Sequence, residues 1–241
     1  MRIFLLLYTL WCAFWFILLF LILFPFTWLF LQKDRWKPFA HQINRVWGRL
    51  FFPLIGMPVR VEYRFKPARR ETFVICANHF SYLDIATMGV VVDNYFAFVG
   101  KHAVKKVPLF GYMFRKLHIQ VDREKGNSRA YSLSKSIRTL ASGRSVMIFP
   151  EGGIITKNAP QIHLPLQKGA FVMAIQQQVP LLPVSLQTNH VLLPDRSPLR
   201  LRPGVIRAVV HAPIPTVGLT QADVPDLMEK WRQVVQGELN K

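Results

Sequence analysis

The stretch "CANHFSYLD", residues 76–84, joins an apolar, β-rich run to a segment with the composition of a helix, "YLDIATMGVVV". This order predicts a strand, a turn and a helix. His79 and Asp84 stand five positions apart across the turn. Along a regular helix, five positions turn through about 140°, which would point the two side chains apart. A histidine–aspartate contact therefore requires His79 to precede the helix and Asp84 to reach back to it.

The same residues also have a purely structural interpretation. Ser81 and Asp84 have the spacing of a capping box at the start of the helix. His79 can equally be a hydrogen-bonded residue of the turn. A histidine five positions before an aspartate is a weak pattern, because such pairs arise by chance. The turn by itself leaves both interpretations open.

Beyond residue 58, β-rich runs alternate with helical segments. Several runs are apolar on both faces, which is typical of strands buried between two layers of helices. Helix-like segments include residues 127–141, "QKGAFVMAIQQQ" and the C-terminal "DVPDLMEKWRQVVQGEL". The β-rich runs are, in chain order, "ETFVICAN", "YFAFVGK", "LHIQVD", "SVMIFP", "VPLLPVSL" and "GVIRAVVHAP". The alternation predicts an α/β fold, with a mostly parallel or mixed sheet covered by helices on both faces.

The N-terminal segment predicts a membrane-embedded helix before this α/β domain. Residues 3–32 contain no charged side chain, and "IFLLLYTLWCAFWFILLFLILF" is long enough to cross a hydrocarbon core. A signal peptide is the alternative, but its apolar region is normally shorter and is followed by a cleavage site of small residues. We therefore expect a retained anchor. Several Lys and Arg residues follow the run, which predicts the cytoplasmic face of the (inner) cell membrane for the rest of the chain.

A second N-terminal segment, "FAHQINRVWGRLFFPLIG", has the spacing of an amphipathic helix that lies in the membrane interface. We expect residues 1–57 to form the membrane-anchoring part and residues 58–241 the α/β domain. Whether the first helix spans the bilayer or pairs with the second in one leaflet stays open at this point.

The composition indicates an anionic membrane surface as a partner. The chain carries 31 Lys and Arg against 13 Asp and Glu, a net charge of +18, while 51% of its residues are hydrophobic. Nucleic-acid-binding proteins share the basicity but are seldom so apolar, and we expect no nucleic acid partner. A non-enzymatic basic module that binds anionic membranes is the alternative. The two cysteines lie far apart, which argues against a disulfide framework or a cysteine metal site.

Candidate functional residues stand where the predicted strands end, which is where α/β domains usually place their sites. No glycine-rich nucleotide loop and no metal-ligand spacing occurs, so we expect no metal site. The candidates are Asn78, His79 and Asp84 after the first run, Lys101 after the second, Asp122 and Arg123 after the third, and Glu151 after "SVMIFP".

Four blocks in order resemble the motifs of the glycerophospholipid acyltransferase family, which includes the lysophosphatidic acid acyltransferases. "NHFSYLD" is similar to the first motif, and "FVGKHAVKKVPLFGYMFRKLHIQVDR" is similar to the second. "VMIFPEGG" resembles the third motif, and "VPLLPVSL" the fourth. The resemblance covers about residues 72–186, and four ordered blocks are far more specific than any one of them.

The resemblance implies transfer of an acyl group from acyl-CoA or acyl-carrier protein to the sn-2 hydroxyl of lysophosphatidic acid. His79 would be the general base, and Asp84 would orient it. The acceptor hydroxyl would attack the thioester directly, so neither a protein nucleophile nor a cofactor is expected. A thioesterase or lipid hydrolase is a further alternative, which would need an activated water or a nucleophile, and no serine stands in a nucleophile-elbow setting.

The resemblance also implies residues that bind the lysophospholipid acceptor. Arg123 is the main candidate for its phosphate, because a guanidinium can hold a phosphate through two parallel hydrogen bonds. Weaker candidates are Lys101, Lys168 and Asn78, while Glu151 and Gly152 belong to the third motif, whose acidic residue is assigned to acceptor binding.

One departure from the family pattern follows Gly152. Many members continue with Thr-Arg, and the arginine is implicated in phosphate recognition, whereas here Gly153 and Ile154 occupy these places. Neither side chain can bind a phosphate. A lysolipid with another headgroup, such as an amino-acid lipid, therefore remains an alternative acceptor.

Overall fold

The computed structural model describes residues 2–101, 107–121, 126–156, 158–195 and 197–241. The chain begins with two long helices, α1 (Arg2–Phe30) and α2 (Lys37–Leu54), separated by a 3₁₀ turn, Asp34–Trp36. Of the described residues, α1 is the one helix long and apolar enough to cross a membrane. Its outer face is exposed and apolar over its whole length, from Ile3 to Leu29.

Seven strands form one mixed sheet. Their order across the sheet is β1-β7-β6-β2-β5-β3-β4. Neighbouring strands are parallel except β6 and β7, which are antiparallel. Strands β2 to β6 therefore run in one direction, and their carboxyl ends meet at one edge of the sheet. The strands are β1 (Val59–Tyr63), β2 (Val74–Ala77), β3 (Phe96–Lys101), β4 (Ile119–Val121), β5 (Ser145–Ile148), β6 (Leu181–Leu186) and β7 (Ile206–Val210).

Helices cover both faces of the sheet, as the residues of β2 show. Val74 and Cys76 belong to the core beneath α5, α6 and α8, while Ile75 and Ala77 belong to the core beneath α3. This alternation follows from the two-residue period of a strand. The helices after α2 are α3 (Leu83–Val91), α4 (Phe110–Leu117), α5 (Gly126–Ala141), α6 (Gly169–Gln177), α7 (Asn189–Leu192) and α8 (Val224–Leu239).

Helix α1 lies along the α/β part of the chain instead of projecting from it. Near its start, Thr9 Oγ1 accepts a 3.0 Å hydrogen bond from the backbone N–H of Leu201. In its second half, the rings of Phe20 and Phe110 lie 6.0 Å apart, and just beyond its end Gln32 Nε2 donates a 3.3 Å hydrogen bond to the Tyr112 hydroxyl. Between these points, α1 packs on α2, with the rings of Phe16 and Trp47 4.8 Å apart. The α/β part thus contacts α1 near both of its ends.

The predicted fold class is confirmed: a mixed sheet is covered on both faces by helices and is preceded by an apolar N-terminal helix. Each of the six β-rich runs contains a strand. The sequence did not reveal β1, α4 or α7. The division of the chain into residues 1–57 and 58–241 stays a prediction.

Candidate active site

His79 lies in the turn between β2 and α3, at the edge of the sheet where the parallel strands end. Its Nδ1 is 3.0 Å from Oδ2 of Asp84, in the first turn of α3. Because a carboxylate only accepts hydrogen bonds, Nδ1 carries a proton, and in the neutral ring Nε2 then keeps its lone pair. Nε2 has no hydrogen-bond partner among the described residues. His79 is 8% exposed, and its ring stacks on Phe149, with the ring centres 3.9 Å apart.

The Asp84 carboxylate is fixed by four donors and is only 1% exposed. Besides His79, the backbone N–H groups of Phe80 and Ser81 each donate a 2.9 Å bond to Oδ2. The side-chain amide of Asn189, at the start of α7, donates a 2.8 Å bond to Oδ1. Asp84 therefore binds the turn before its helix and the histidine at the same time. The capping and the histidine–aspartate interpretations are compatible.

Glu151 follows β5 and joins three segments of the site. Its Oε1 accepts a 2.7 Å hydrogen bond from the backbone N–H of His79, and its Oε2 accepts a 2.9 Å bond from that of His163. Glu151 is 3% exposed, and this burial raises the pKa of its carboxyl to about 7. The nearby charge of Asp84 raises the pKa further, while the two backbone donors oppose the shift.

The other predicted binding residues lie in different settings. The Asn78 amide is fully buried and pairs with the backbone of Leu186 through bonds of 2.9 and 2.7 Å, so a role in binding would fall to its backbone. Lys168 is exposed just before α6. Lys101 ends β3, and its side chain lies outside the described part of the chain, as does the whole of Arg123.

A cavity of about 440 Å³ lies beside the histidine–aspartate pair. His79 does not line it, but Phe149 and Glu151 do, and both contact His79. Gly152 and Gly153 line the same cavity, and so do two serines, Ser132 and Ser136. The apolar side chains of the lining include Val99, Val121, Leu133, Ile148 and Met173. Gly152 has φ of +81°, and a Cβ there would lie 3.0 Å from Cγ of Gln167, so the turn requires glycine.

Sequence reasoning missed three residues of the site: Phe149, His163 and Asn189. Phe149 lies near the end of the predicted run "SVMIFP" and Asn189 follows "VPLLPVSL", so the rule that selected Glu151 also points to them. His163 contributes a backbone group, for which a sequence holds no signal. Among the residues that the structure describes, no group of three His, Cys, Asp or Glu side chains is placed to hold a metal ion.

Comparison with known proteins identifies the family of the chain. The Acyltransferase family matches residues 59–187, more than half of the chain, and the chain belongs to this family. A 1-acyl-sn-glycerol-3-phosphate acyltransferase from Chlamydomonas reinhardtii is 28% identical over 88% of this chain and 62% of its own length. A lyso-ornithine lipid O-acyltransferase from Rhizobium meliloti is 36% identical over 52% of this chain and 40% of its own length.

A solved structure shares the fold. The crystal structure of the 1-acyl-sn-glycerophosphate (LPA) acyltransferase from Thermotoga maritima superimposes with a TM-score of 0.80 at 23% identity, covering 99% of this chain and 96% of that chain. The chain spans only part of the curated relatives that it matches: it covers 66%, 62% and 54% of the lengths of three of them.

Proposed function

We propose that the chain transfers a fatty acyl group from acyl-CoA or acyl-carrier protein to the sn-2 hydroxyl of lysophosphatidic acid, which gives phosphatidic acid. The observation that carries the proposal is the contact between His79 Nδ1 and Asp84, which puts the proton of the neutral ring on Nδ1 and leaves Nε2 as the basic nitrogen, next to two residues, Phe149 and Glu151, that line a largely apolar cavity. The family supports acyl transfer in general, and the activity for which the Chlamydomonas relative is named supports this acceptor.

In the proposed reaction, Nε2 of His79 takes the proton of the acceptor hydroxyl as its oxygen attacks the thioester carbonyl. The new ester C–O bond forms, the C–S bond breaks, and the proton passes from the imidazolium to the leaving thiolate. A positioned general base of this kind typically accelerates a reaction by about 10²–10⁴-fold. Asp84 fixes the tautomer and stabilises the imidazolium, as the aspartate of a Ser-His-Asp triad does.

Glu151 acts in this scheme as a positioning residue. The family resemblance assigns the acidic residue of this motif to acceptor binding. Here both carboxylate oxygens accept backbone hydrogen bonds inside the protein, at 2.7 and 2.9 Å. These bonds favour a role in holding the backbone of His79, since little of the carboxylate is left to face a substrate.

The cavity suits a fatty acyl chain, because much of its lining is apolar and two of its lining residues, Phe149 and Glu151, contact His79. Lys168 stands next to two residues that line the cavity, Gln167 and Gly169, and is a candidate cation for the acceptor phosphate. Arg123, outside the described residues, stays the main candidate by resemblance.

A second acceptor class has a specific observation in its favour. Gly153, which stands where many family members carry a threonine, lines the cavity, and neither its side chain nor that of Ile154 can pair with a phosphate. The Rhizobium relative is named for a lysolipid with an amino-acid headgroup. The same transfer chemistry on an amino-acid lysolipid is therefore the alternative.

We also propose that α1 lies in the plane of one leaflet, at the cytoplasmic face. Contacts with the α/β part begin at Thr9 and continue to Gln32, whose Nε2 donates to the Tyr112 hydroxyl at 3.3 Å. A bilayer-spanning α1 would bring the charged α/β domain into the hydrocarbon, at a cost of several kcal/mol for each unsatisfied polar group. An in-plane α1 buries its apolar outer face and leaves the charges in water.

A panel of acceptors tests the proposal directly. Purified protein in detergent would be given radiolabelled acyl-CoA with lysophosphatidic acid, a lyso-ornithine lipid or lysophosphatidylcholine. We expect the highest kcat/KM with lysophosphatidic acid. A preference for the ornithine acceptor would establish the alternative, and no transfer to any acceptor would contradict acyl transfer itself.

A further inference from the structure

Asn189 stands on α7, far along the chain from the histidine–aspartate pair, yet it contacts that pair. Its Nδ2 donates a 2.8 Å hydrogen bond to Asp84 Oδ1 and a 3.1 Å bond to Thr87 Oγ1. The amide nitrogen must be the atom that faces Asp84, because a carboxylate offers acceptors only. Asn189 is 1% exposed, so water cannot replace this donor.

The two oxygens of Asp84 are held differently. Oδ2 receives the His79 ring and two backbone N–H groups, all from the turn before α3. Oδ1 receives Asn189, which is its one donor among the described residues. Anchoring Oδ1 stops the carboxylate from rotating about its Cβ–Cγ bond. The rotation would carry Oδ2 away from His79.

Helix α7 is itself held in place, which makes Asn189 a rigid support. Thr188, just before it, accepts a 2.9 Å bond from the backbone N–H of Arg207 and donates to the carbonyl of Val205. At the other end of α7, the Ser81 hydroxyl donates a 2.8 Å bond to the carbonyl of Leu193. The segment is therefore attached both to β7 and to the turn that carries His79.

We infer that Asn189 is a positioning residue for the proposed reaction: it holds the Asp84 carboxylate in the plane that keeps His79 Nδ1 protonated and Nε2 free. The inference rests on the proposed function, in which His79 and Asp84 are the catalytic pair. Asn189 acts through Asp84 and touches no substrate. Its loss should therefore lower kcat and leave substrate binding nearly unchanged.

The test compares two nearly isosteric substitutions in the full-length protein, assayed with lysophosphatidic acid and acyl-CoA. Asn189→Leu removes the donor to Asp84, and we expect kcat to fall about 10- to 100-fold, as for a lost hydrogen bond to a buried charge, with both KM values within about threefold of wild type. Thr87→Val removes the other partner of the same amide but no contact with Asp84. We expect its kcat to stay within about threefold of wild type.

Thermal melting establishes that each variant is folded. If Asn189→Leu does not fold, Asn189→Asp serves instead, because it keeps the shape and replaces the donor by a second carboxylate. We expect it to lose at least as much activity at neutral pH. A folded Asn189 variant with wild-type kcat, an equal loss in Thr87→Val, or a loss confined to KM would each overturn the inference.

The variant His79→Ala separates this inference from the function on which it rests. Full activity in His79→Ala would overturn the proposed function. An inactive His79→Ala together with a fully active Asn189→Leu would overturn the role of Asn189 alone.

Discussion

The backbone N–H of His79 donates a 2.7 Å hydrogen bond to Oε1 of Glu151, 72 positions further along the chain. The bond links the turn after β2 to the turn after β5, two strands that are neighbours in the sheet. The other oxygen of Glu151 holds the backbone of His163. One buried carboxylate thus fixes the position of the histidine from outside its own turn.

This arrangement predicts that Glu151→Gln lowers kcat more than it raises the KM of the acceptor. The amide of glutamine would direct a donor at one of the two backbone N–H groups, so one bond would be lost and the His79 backbone would shift. We expect kcat to fall about 10- to 100-fold, as for a lost hydrogen bond to a buried charge.

Steady-state kinetics with lysophosphatidic acid as the varied substrate would measure the effect. The matched control is Glu71→Gln, because Glu71 also accepts a backbone N–H, from Ala68 at 2.9 Å, but at an exposed position away from the site. A rise in KM with an unchanged kcat would instead assign Glu151 to acceptor binding.

The raised pKa of the Glu151 carboxyl predicts how the stability of the protein depends on pH. Burial raises the pKa of its carboxyl from 4.5 to about 7 in the folded protein. Between these values the folded state binds more protons than the unfolded state, so the free energy of unfolding falls as pH rises from about 4.5 to about 7. This pKa shift corresponds to a loss of roughly 3 kcal/mol in the free energy of unfolding across that pH range.

Thermal melting of the wild type and of Glu151→Gln at pH 5 and pH 8 would measure this contribution. The wild type should lose more stability between the two pH values than the variant, whose amide does not titrate. Equal losses in both proteins would show that the carboxyl is not responsible.

The in-plane position of α1 predicts that both of its ends face the same side of the membrane. In sealed inside-out vesicles, cysteines introduced by Arg2→Cys and by Lys33→Cys should both react with a membrane-impermeant thiol reagent. The native cysteines, Cys12 and Cys76, are buried, so the unsubstituted protein provides the background. Labelling of one end only would show that α1 spans the bilayer.

The sequence predicted the layers of the fold and the histidine–aspartate contact because both depend on local signals. Continuous apolar, β-rich runs identified the buried strands, and the five-residue spacing placed His79 before the helix. Strand β1, "VRVEY", was missed because it lies at the sheet edge and carries charged residues among the apolar ones.

The supporting contacts could not be predicted, because they depend on the order of the strands. Glu151 and Asn189 reach His79 and Asp84 since β5 and β6 are the two neighbours of β2. These pairs are 72 and 105 positions apart. A single sequence does not indicate which parallel strands lie side by side.

The most direct measurement is the kcat of His79→Ala, with lysophosphatidic acid and acyl-CoA as substrates and thermal melting as the check of folding. Without the base at Nε2, kcat should fall by at least about 10²-fold in a protein that remains folded. Full activity of folded His79→Ala would contradict the assignment of His79 as the general base.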